Sequence, residues 1–195
     1  MKRISGMLAA LVLSALPAMA VELGDDGLHK PEWLRETFKD LREDLAEANA
    51  EGKRLLITVE QRGCIYCTKM HEEVYPDPKV DALIRESYFV VQMNLFGDVE
   101  VTDFDGTVLP EKEMAMRWGV MFTPTLIFLP EEVPEGATAE EAAVAMMPGA
   151  FGKGTTAALM TWVRDHRYES GEQFQKFVAE QMALEQAGEQ TGASD

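Results

Sequence analysis

The chain has 195 residues, 34 of them acidic and 18 basic, which gives a formal net charge of −16 at pH 7. Phosphates of nucleic acids and anionic lipids repel such a surplus of negative charge, so neither class of partner is expected. The length is sufficient for one domain whose core does not depend on a disulfide, unlike the cores of small secreted scaffolds.

The first 20 residues have the organisation of a secretory signal peptide. Lys2 and Arg3 form a basic start, residues 7–16 are mostly apolar, and AMA at 18–20 is a small-x-small cleavage site. The apolar stretch is much shorter than the ~20 residues that a membrane span requires. We therefore predict a cleaved signal peptide over 1–20, no stable membrane insertion, and a location outside the cytosol, where disulfides persist.

The first half of the remaining chain predicts alternating helices and strands. A helix is predicted over 30–52, with Pro31 in its first turn, apolar residues at helical spacing and Gly52 as its stop. The run LLITVE at 55–60 predicts a strand that is buried on both faces. The elements that follow are a helix over 64–75, a helix over 77–86 with Asp77 as its cap, and a strand over 88–95.

The second half predicts an inserted hairpin and the rest of the same domain. Alternating residues around Asp105-Gly106 predict an acidic hairpin within 97–110. After it we predict a short helix over 111–120, a strand over 123–129, an edge strand over 142–149 and two C-terminal helices. The alternation predicts a single α/β domain over 21–187, followed by a disordered tail over 188–195.

The only two cysteines, Cys64 and Cys67, lie three residues apart at the predicted start of a helix. A helix N-terminus stabilises an anion, so the thiolate of Cys64 should be favoured. Cys67 lies on the same side of the helix and can close a small ring with Cys64. This spacing suits a dithiol in which an exposed first sulfur attacks a disulfide and the second sulfur, beneath it, releases the mixed disulfide.

Other uses of these residues are open but less favoured. Cys64, Cys67 and His71 have metal-like spacing, yet a structural zinc site needs four ligands and the sequence has no further cysteine. His71 is interpreted as a partly exposed histidine on the helix, and no metal or cofactor is predicted. A purely structural disulfide would close a ring too small to constrain the unfolded chain. The acids of 98–105 and the methionines of 114–121 are interpreted as a solvated hairpin and core filler rather than calcium or copper ligands.

A second motif carries a resemblance to a known family. LLITVEQRGCIYC, followed far along the chain by AMRWGVMFTPTLIF, resembles the thioredoxin superfamily, in which a strand precedes a CxxC helix and a cis-proline opens a later strand. The GC-x-YC-x-x-MH form of the site, the acidic hairpin and MPGAF at 147–151 are similar to SoxW-type periplasmic thioredoxins. The resemblance spans roughly residues 30–168. It implies a thioredoxin fold with a central mixed sheet flanked by helices, an N-terminal helix and an inserted hairpin.

The resemblance also implies roles for particular residues and partners. Cys64 would be the nucleophile, Cys67 the resolving thiol, Pro124 the cis-proline and Thr123 the substrate-binding residue before it. The implied function is a periplasmic protein-disulfide oxidoreductase that reduces disulfides in periplasmic proteins, including sulfur-oxidation carrier proteins, and receives electrons from a membrane thiol-electron donor. Cytosolic thioredoxins carry a buried Asp six residues before the first cysteine. This chain has Thr58 there, and Glu60 is a hypothetical substitute on the same side of the strand.

Two other functions are left open by the sequence. A Dsb-type oxidase or isomerase fits the same motifs, since Thr before the proline also occurs among isomerases, although the chain offers few residues for an added dimerisation domain. A non-catalytic thioredoxin-fold module for binding or chaperoning, with an incidental dithiol, belongs to a different class.

Overall fold

The structure is a computed structural model that describes residues 21–192, so the predicted signal peptide at 1–20 and the last three residues lie outside the described residues. The strands are β1 (Arg54–Glu60), β2 (Tyr88–Asn94), β3 (Glu100–Thr102), β4 (Val108–Pro110), β5 (Thr125–Phe128) and β6 (Ala145–Pro148). Four of them form the central sheet in the order β2-β1-β5-β6. β1 is parallel to β2 and antiparallel to β5, and β6 is antiparallel to β5, whereas β3 and β4 form a separate hairpin.

Helices cover both faces of this sheet. They are α1 (Leu41–Ala50), α2 (Ile65–Lys69), α3 (Pro78–Ser87), α4 (Glu111–Arg117), α5 (Ala139–Ala142), α6 (Lys153–Arg164) and α7 (Phe174–Gly192). A π-helical turn, Met70–Val74, continues α2 directly, and a 3₁₀ turn, Arg167–Ser170, follows α6. Among residues 21–192, no helix combines the length and apolar composition needed to cross a membrane.

The two faces of β1 belong to two different hydrophobic clusters, because successive side chains of a strand point to opposite sides. Leu55, Ile57 and Val59 pack with residues of α1 and α4. Leu56 packs on the other side with residues of the π-helical turn, α3 and α6. The whole strand is buried, as the continuous apolar run predicts. Thr58 and Glu60 therefore face the side on which the helix after Cys64 lies.

The first helix is shorter than the sequence predicts. It begins at Leu41 rather than near Pro31, and the Asp40 side chain caps it by accepting a hydrogen bond from the backbone N–H of Arg42. The preceding segment instead runs along the edge of β2, where Leu34 forms a parallel bridge with Val90. Pairing with a sheet edge thus overrides the helical spacing of the apolar residues in that segment.

The predicted caps and turns that follow are present. Gly52 has a φ of +68° and ends α1, and the Asp77 side chain accepts a hydrogen bond from Lys79 N at the start of α3. Asp105 and Gly106 lie in the turn between β3 and β4, and Gly106 has a φ of +88°. The predicted α/β class, with a central mixed sheet, flanking helices, an N-terminal helix and an inserted hairpin, is confirmed.

The C-terminal boundary of the domain stays a prediction. α7 continues to Gly192, past residue 188 where the sequence predicts the start of a disordered tail. Its first turns pack onto the domain through Phe177, which is buried in the same cluster as the residues of α6.

Candidate functional site

The turn after β1 brings the two cysteines together at the start of α2. Cys64 is the N-cap residue of α2, and its sulfur is bonded to that of Cys67, with Cα atoms 5.2 Å apart. The backbone N–H of Cys67 donates a 3.0 Å hydrogen bond to the Cys64 sulfur. Gly63, with a φ of +71°, forms the bend that leads into the helix. The Cys64 sulfur therefore lies where unpaired helix N–H groups favour an anion.

The second predicted motif contacts the same sulfur. The Thr123–Pro124 peptide bond is cis, and the Thr123 hydroxyl donates a 3.3 Å hydrogen bond to the Cys64 sulfur. The Thr123 carbonyl oxygen lies 3.5 Å from that sulfur. Register explains the proximity: β5 is antiparallel to β1 and pairs Thr125 with Val59, so the chain enters β5 beside the end of β1. The structure thus brings Cys64, Cys67, Thr123 and Pro124 into one site.

The two cysteines differ in exposure, but less than the sequence predicts. Cys64 is 6% exposed in the disulfide form and Cys67 is 1% exposed, so the first cysteine is not the open residue that was expected. Neighbouring apolar side chains are nevertheless exposed, on both sides of the sulfur pair. They are Ile65 and Tyr66 in α2 and Met121 and Phe122 before Thr123.

Beneath the cysteine helix lies a buried polar group that includes His71. The prediction of a partly exposed His71 is wrong, because the residue is 2% exposed and the neighbouring Glu60 is 1% exposed. His71 Nε2 and Glu60 Oε1 are 2.9 Å apart. Glu60 Oε2 accepts a 3.3 Å hydrogen bond from Gln92, whose amide oxygen accepts a hydrogen bond from Lys30. The N-terminal segment covers His71, and the sequence of that segment does not predict this contact.

His29 completes this group and fixes the orientation of His71. The two imidazole rings stack with centroids 4.3 Å apart and planes 16° apart, and Trp33 stacks more distantly, at 6.2 Å from His71. His29 Nδ1 lies 4.0 Å from Glu60 Oε2. Burial lowers the pKa of His29, and the nearby His71 lowers it further, whereas the Glu60 charge raises it.

These three residues also have donor atoms within 4.8 Å of one another, a spacing compatible with a metal ion. A single ion would need the lone pairs of both imidazoles to converge on it. The rings of His29 and His71 are stacked and nearly parallel, so their in-plane lone pairs do not converge in this arrangement. The group is better described as a hydrogen-bonded acid–base cluster than as a metal site.

Comparisons with known proteins agree with the fold. Residues 41–150, more than half of the chain, match the family described as a thioredoxin-like domain. A thioredoxin-fold protein from Helicobacter pylori superposes with a TM-score of 0.56 at 15% identity, covering 68% of this chain and 86% of that one. No curated protein matches the sequence significantly.

Two further solved structures are similar at lower TM-scores. A thioredoxin from Thermus thermophilus has a TM-score of 0.47 at 26% identity, covering 68% of this chain and 87% of that one. A DsbH oxidoreductase has a TM-score of 0.42 at 15% identity, covering 80% of this chain and 93% of that one. The predicted thioredoxin fold is confirmed by the family match and the Helicobacter structure, and with the Cys64–Cys67 pair it supports a thiol–disulfide oxidoreductase. The chain belongs to the thioredoxin-like domain family.

Proposed function

We propose that the protein reduces disulfides in partner proteins through its Cys64–Cys67 dithiol. The Cys64 thiolate attacks one sulfur of a partner disulfide, and Cys67 then attacks Cys64 and releases the reduced partner. One observation carries this proposal: the Cys64 sulfur, at a helix N-terminus, is bonded to Cys67 and accepts a hydrogen bond from Thr123. The Thr123 hydroxyl and the backbone N–H of Cys67 both donate to that sulfur, and both favour its anionic form, which is the reactive one.

The surroundings of the sulfur pair suit a protein as substrate. Thr123 and Pro124 present backbone next to Cys64, and an extended partner segment could lie along it. The exposed apolar residues Ile65, Tyr66 and Phe122 would contact the flanking residues of that segment, while the net charge of −16 disfavours acidic partners.

The cellular setting and the partners follow from the resemblance to SoxW-type thioredoxins and from the signal-peptide pattern. In this proposal the mature chain is periplasmic and keeps sulfur-oxidation carrier proteins reduced. A membrane protein with a reactive dithiol would return electrons to Cys64 and Cys67 after each cycle. Reduction, rather than oxidation, is the direction that this setting requires.

The test combines the redox potential with trapping of partners. Equilibration of the mature protein with glutathione should give a potential near that of reducing thioredoxins, about −270 mV, whereas a value near −120 mV would assign it to the oxidases. A Cys67→Ser variant should accumulate mixed disulfides with periplasmic proteins, and a Cys64→Ser variant should not. Capture of the same partners by Cys64→Ser, together with no insulin reduction by the wild type, would instead favour a non-catalytic binding module.

A further inference from the structure

The buried pair of Glu60 and His71 is not used by the function proposed above, and its hydrogen bonding leaves one atom without a partner. An ionised carboxylate only accepts hydrogen bonds, so the 2.9 Å contact with Glu60 Oε1 places the proton of the neutral imidazole on His71 Nε2. The other nitrogen, Nδ1, is then the basic one. It is buried and has no hydrogen-bond partner in the part of the chain that the structure describes.

An unpaired buried acceptor of this kind is uncommon and requires an explanation. Most buried side-chain polar atoms are paired, and leaving one unpaired destabilises the folded state. The aromatic neighbours of His71 hold its ring in place, with His29 and Trp33 stacked against it and Tyr75 edge-on at 5.0 Å. The ring is thus fixed with its basic nitrogen inside the protein.

The resolving cysteine lies one turn earlier on the same helix. Cys67 and His71 are four residues apart in the continuous helix formed by α2 and the π-helical turn, and both belong to its buried face. Helical side chains lean toward the N-terminus of their helix, so His71 leans over the turn that contains Cys67. In the disulfide form the Cys67 sulfur has no proton to donate. In the reduced form its thiol gains one.

We propose that His71 is the proton acceptor for Cys67 and that Glu60 positions it; the inference rests on the function proposed above. When Cys67 resolves a mixed disulfide, its thiol proton moves to His71 Nδ1, giving an imidazolium paired with the Glu60 carboxylate. The Cys67 thiolate forms a bond to the Cys64 sulfur, and the bond between Cys64 and the partner breaks. The electron pair leaves on the partner sulfur, so the protein dithiol is oxidised and the partner disulfide is reduced.

The proton then leaves through Glu60 and His29, once His29 Nδ1 closes its 4.0 Å separation from Glu60 Oε2. This histidine is partly exposed, stacks on His71 and lies beside Glu60 Oε2. It connects the buried pair to the surface, where the proton reaches solvent or the leaving thiolate. A cavity of about 470 Å³ adjoins His71, and the other titratable or charged groups that line it are Glu22, Lys30 and Glu32 of the N-terminal segment, Tyr75 of the following turn, and Asp81 and Arg85 of α3.

The arrangement differs from that of the cytosolic thioredoxins. The position of their buried aspartate is occupied by Thr58, which cannot accept the thiol proton at neutral pH. Here the carboxylate is that of Glu60, two residues later. In the proposed proton transfer, His71 acts between Glu60 and the Cys67 thiol. The order of thiol, imidazole and carboxylate matches the general pattern in which a base is oriented by a third group.

The experiment separates the two steps of the exchange. The reduced protein is mixed rapidly with a fluorescent peptide disulfide, and the mixed disulfide is followed by acid quench from pH 5.5 to 9. His71→Gln should leave the formation of the mixed disulfide unchanged within about twofold, since Cys64 performs it. Its decay should slow roughly 100-fold at pH 7 and then rise about tenfold per pH unit, because hydroxide must take the proton. Glu60→Gln should slow the decay less.

A matched substitution and a second measurement complete the test. His166→Gln changes an exposed histidine outside the site and should reproduce the wild-type profile. Unaltered decay in folded His71→Gln, with a normally active wild type, would overturn this inference alone; a wild type that forms no mixed disulfide would overturn the proposed function with it. If His71→Gln does not fold, the ¹⁵N shift of His71 Nδ1 in the wild type decides. It should change on reduction, and an unchanged shift would refute the inference.

Discussion

The hydroxyl of Thr123 donates a 3.3 Å hydrogen bond to the sulfur of Cys64, although the two residues are 59 positions apart in the sequence. The backbone N–H of Cys67 donates a second bond to the same sulfur at 3.0 Å. Hydrogen bonds to an anion are stronger than those to a neutral group, so both stabilise the thiolate more than the thiol. This contact couples the residue before the cis-proline to the acidity of the Cys64 thiol.

Removing the hydroxyl should therefore make Cys64 less acidic. Thr123→Val keeps the branched shape of the side chain and deletes the donor. We expect the pKa of the Cys64 thiol in the reduced protein to rise by about one unit, equivalent to ~1.4 kcal/mol. The pH dependence of alkylation by iodoacetamide measures this value. Thr68→Val is the matched control, since the Thr68 hydroxyl bonds the Cys64 carbonyl oxygen rather than the sulfur. Equal pKa values in the two variants would contradict the argument.

The inserted hairpin depends on Asp103, a fully buried carboxylate. Its two oxygens accept hydrogen bonds from the backbone N–H groups of Phe104 and Ala139, from the Trp118 indole and from Arg117. Asp103 thereby connects the hairpin to α4 and to the start of α5. Asp103→Ala would leave the buried N–H groups of Phe104, Trp118 and Ala139 without this acceptor, and we expect the free energy of unfolding to fall by about 3–5 kcal/mol in urea titrations.

A neighbouring acid provides the comparison for that prediction. Asp105 pairs with Arg117 as well, but it lies at the tip of the hairpin, and its ion pair is partly exposed. Asp105→Ala should cost no more than about 1 kcal/mol. Similar losses for both substitutions would mean that Asp103 does not organise the insert.

Replacing either of two glycines by alanine should change the stability of the protein, with opposite signs at the two positions. Gly63 precedes Cys64 with a φ of +71°, and an added Cβ would meet no atom within 4 Å, so only the backbone conformation opposes Gly63→Ala. We expect this change to destabilise the protein by about 1 kcal/mol. Gly154 lies in α6, has no such φ and is equally uncrowded, so Gly154→Ala should stabilise by about 0.5–1 kcal/mol. Thermal unfolding of both variants tests the pair, and a stabilising Gly63→Ala would be inconsistent with the left-handed turn.

Much of the redox site could be predicted because its signals are local. LLITVE is apolar at nearly every position because β1 is covered on both faces, and the cysteine spacing sets the ring that joins Cys64 to Cys67. The sequence also predicts that Thr123 lies directly before a strand. What the sequence does not state is the register, and it is the pairing of Thr125 with Val59 that brings Thr123 to the sulfur.

The residues before α1 could not be predicted from local pattern. Trp33, Leu34 and Phe38 have helical spacing, yet each has a different environment. Trp33 stacks with His71, Leu34 bridges to β2, and Phe38 is 96% exposed. The burial of His71 depends on this same segment, so the incorrect prediction of a helix there led to the incorrect prediction of a partly exposed His71. Long-range packing determines both the conformation of this segment and the burial of His71.

The acidic start of α1 makes the stability of the protein depend on pH through Asp44. This residue lies in the buried face of α1, and burial raises its pKa from 3.8 to about 6, with further increases from the charges of Asp40 and Glu47. Since the folded state holds the Asp44 proton more tightly than the unfolded state, the contribution of Asp44 to stability is greatest below pH 4. It falls as the pH rises toward 6 and then levels off.

Asp44→Asn removes this penalty while keeping an acceptor for the Thr37 hydroxyl. The variant should be more stable than the wild type by about 2 kcal/mol at pH 7.5, and the difference should disappear near pH 4, where Asp44 is protonated in the folded state. Urea titrations at pH 4, 5.5 and 7.5 measure the difference. Glu73→Gln, an exposed substitution after the cysteine helix, should change stability by less than about 0.5 kcal/mol at each pH. A gain in Asp44→Asn that persists undiminished at pH 4 would show that something other than the ionisation of Asp44 limits the stability of α1.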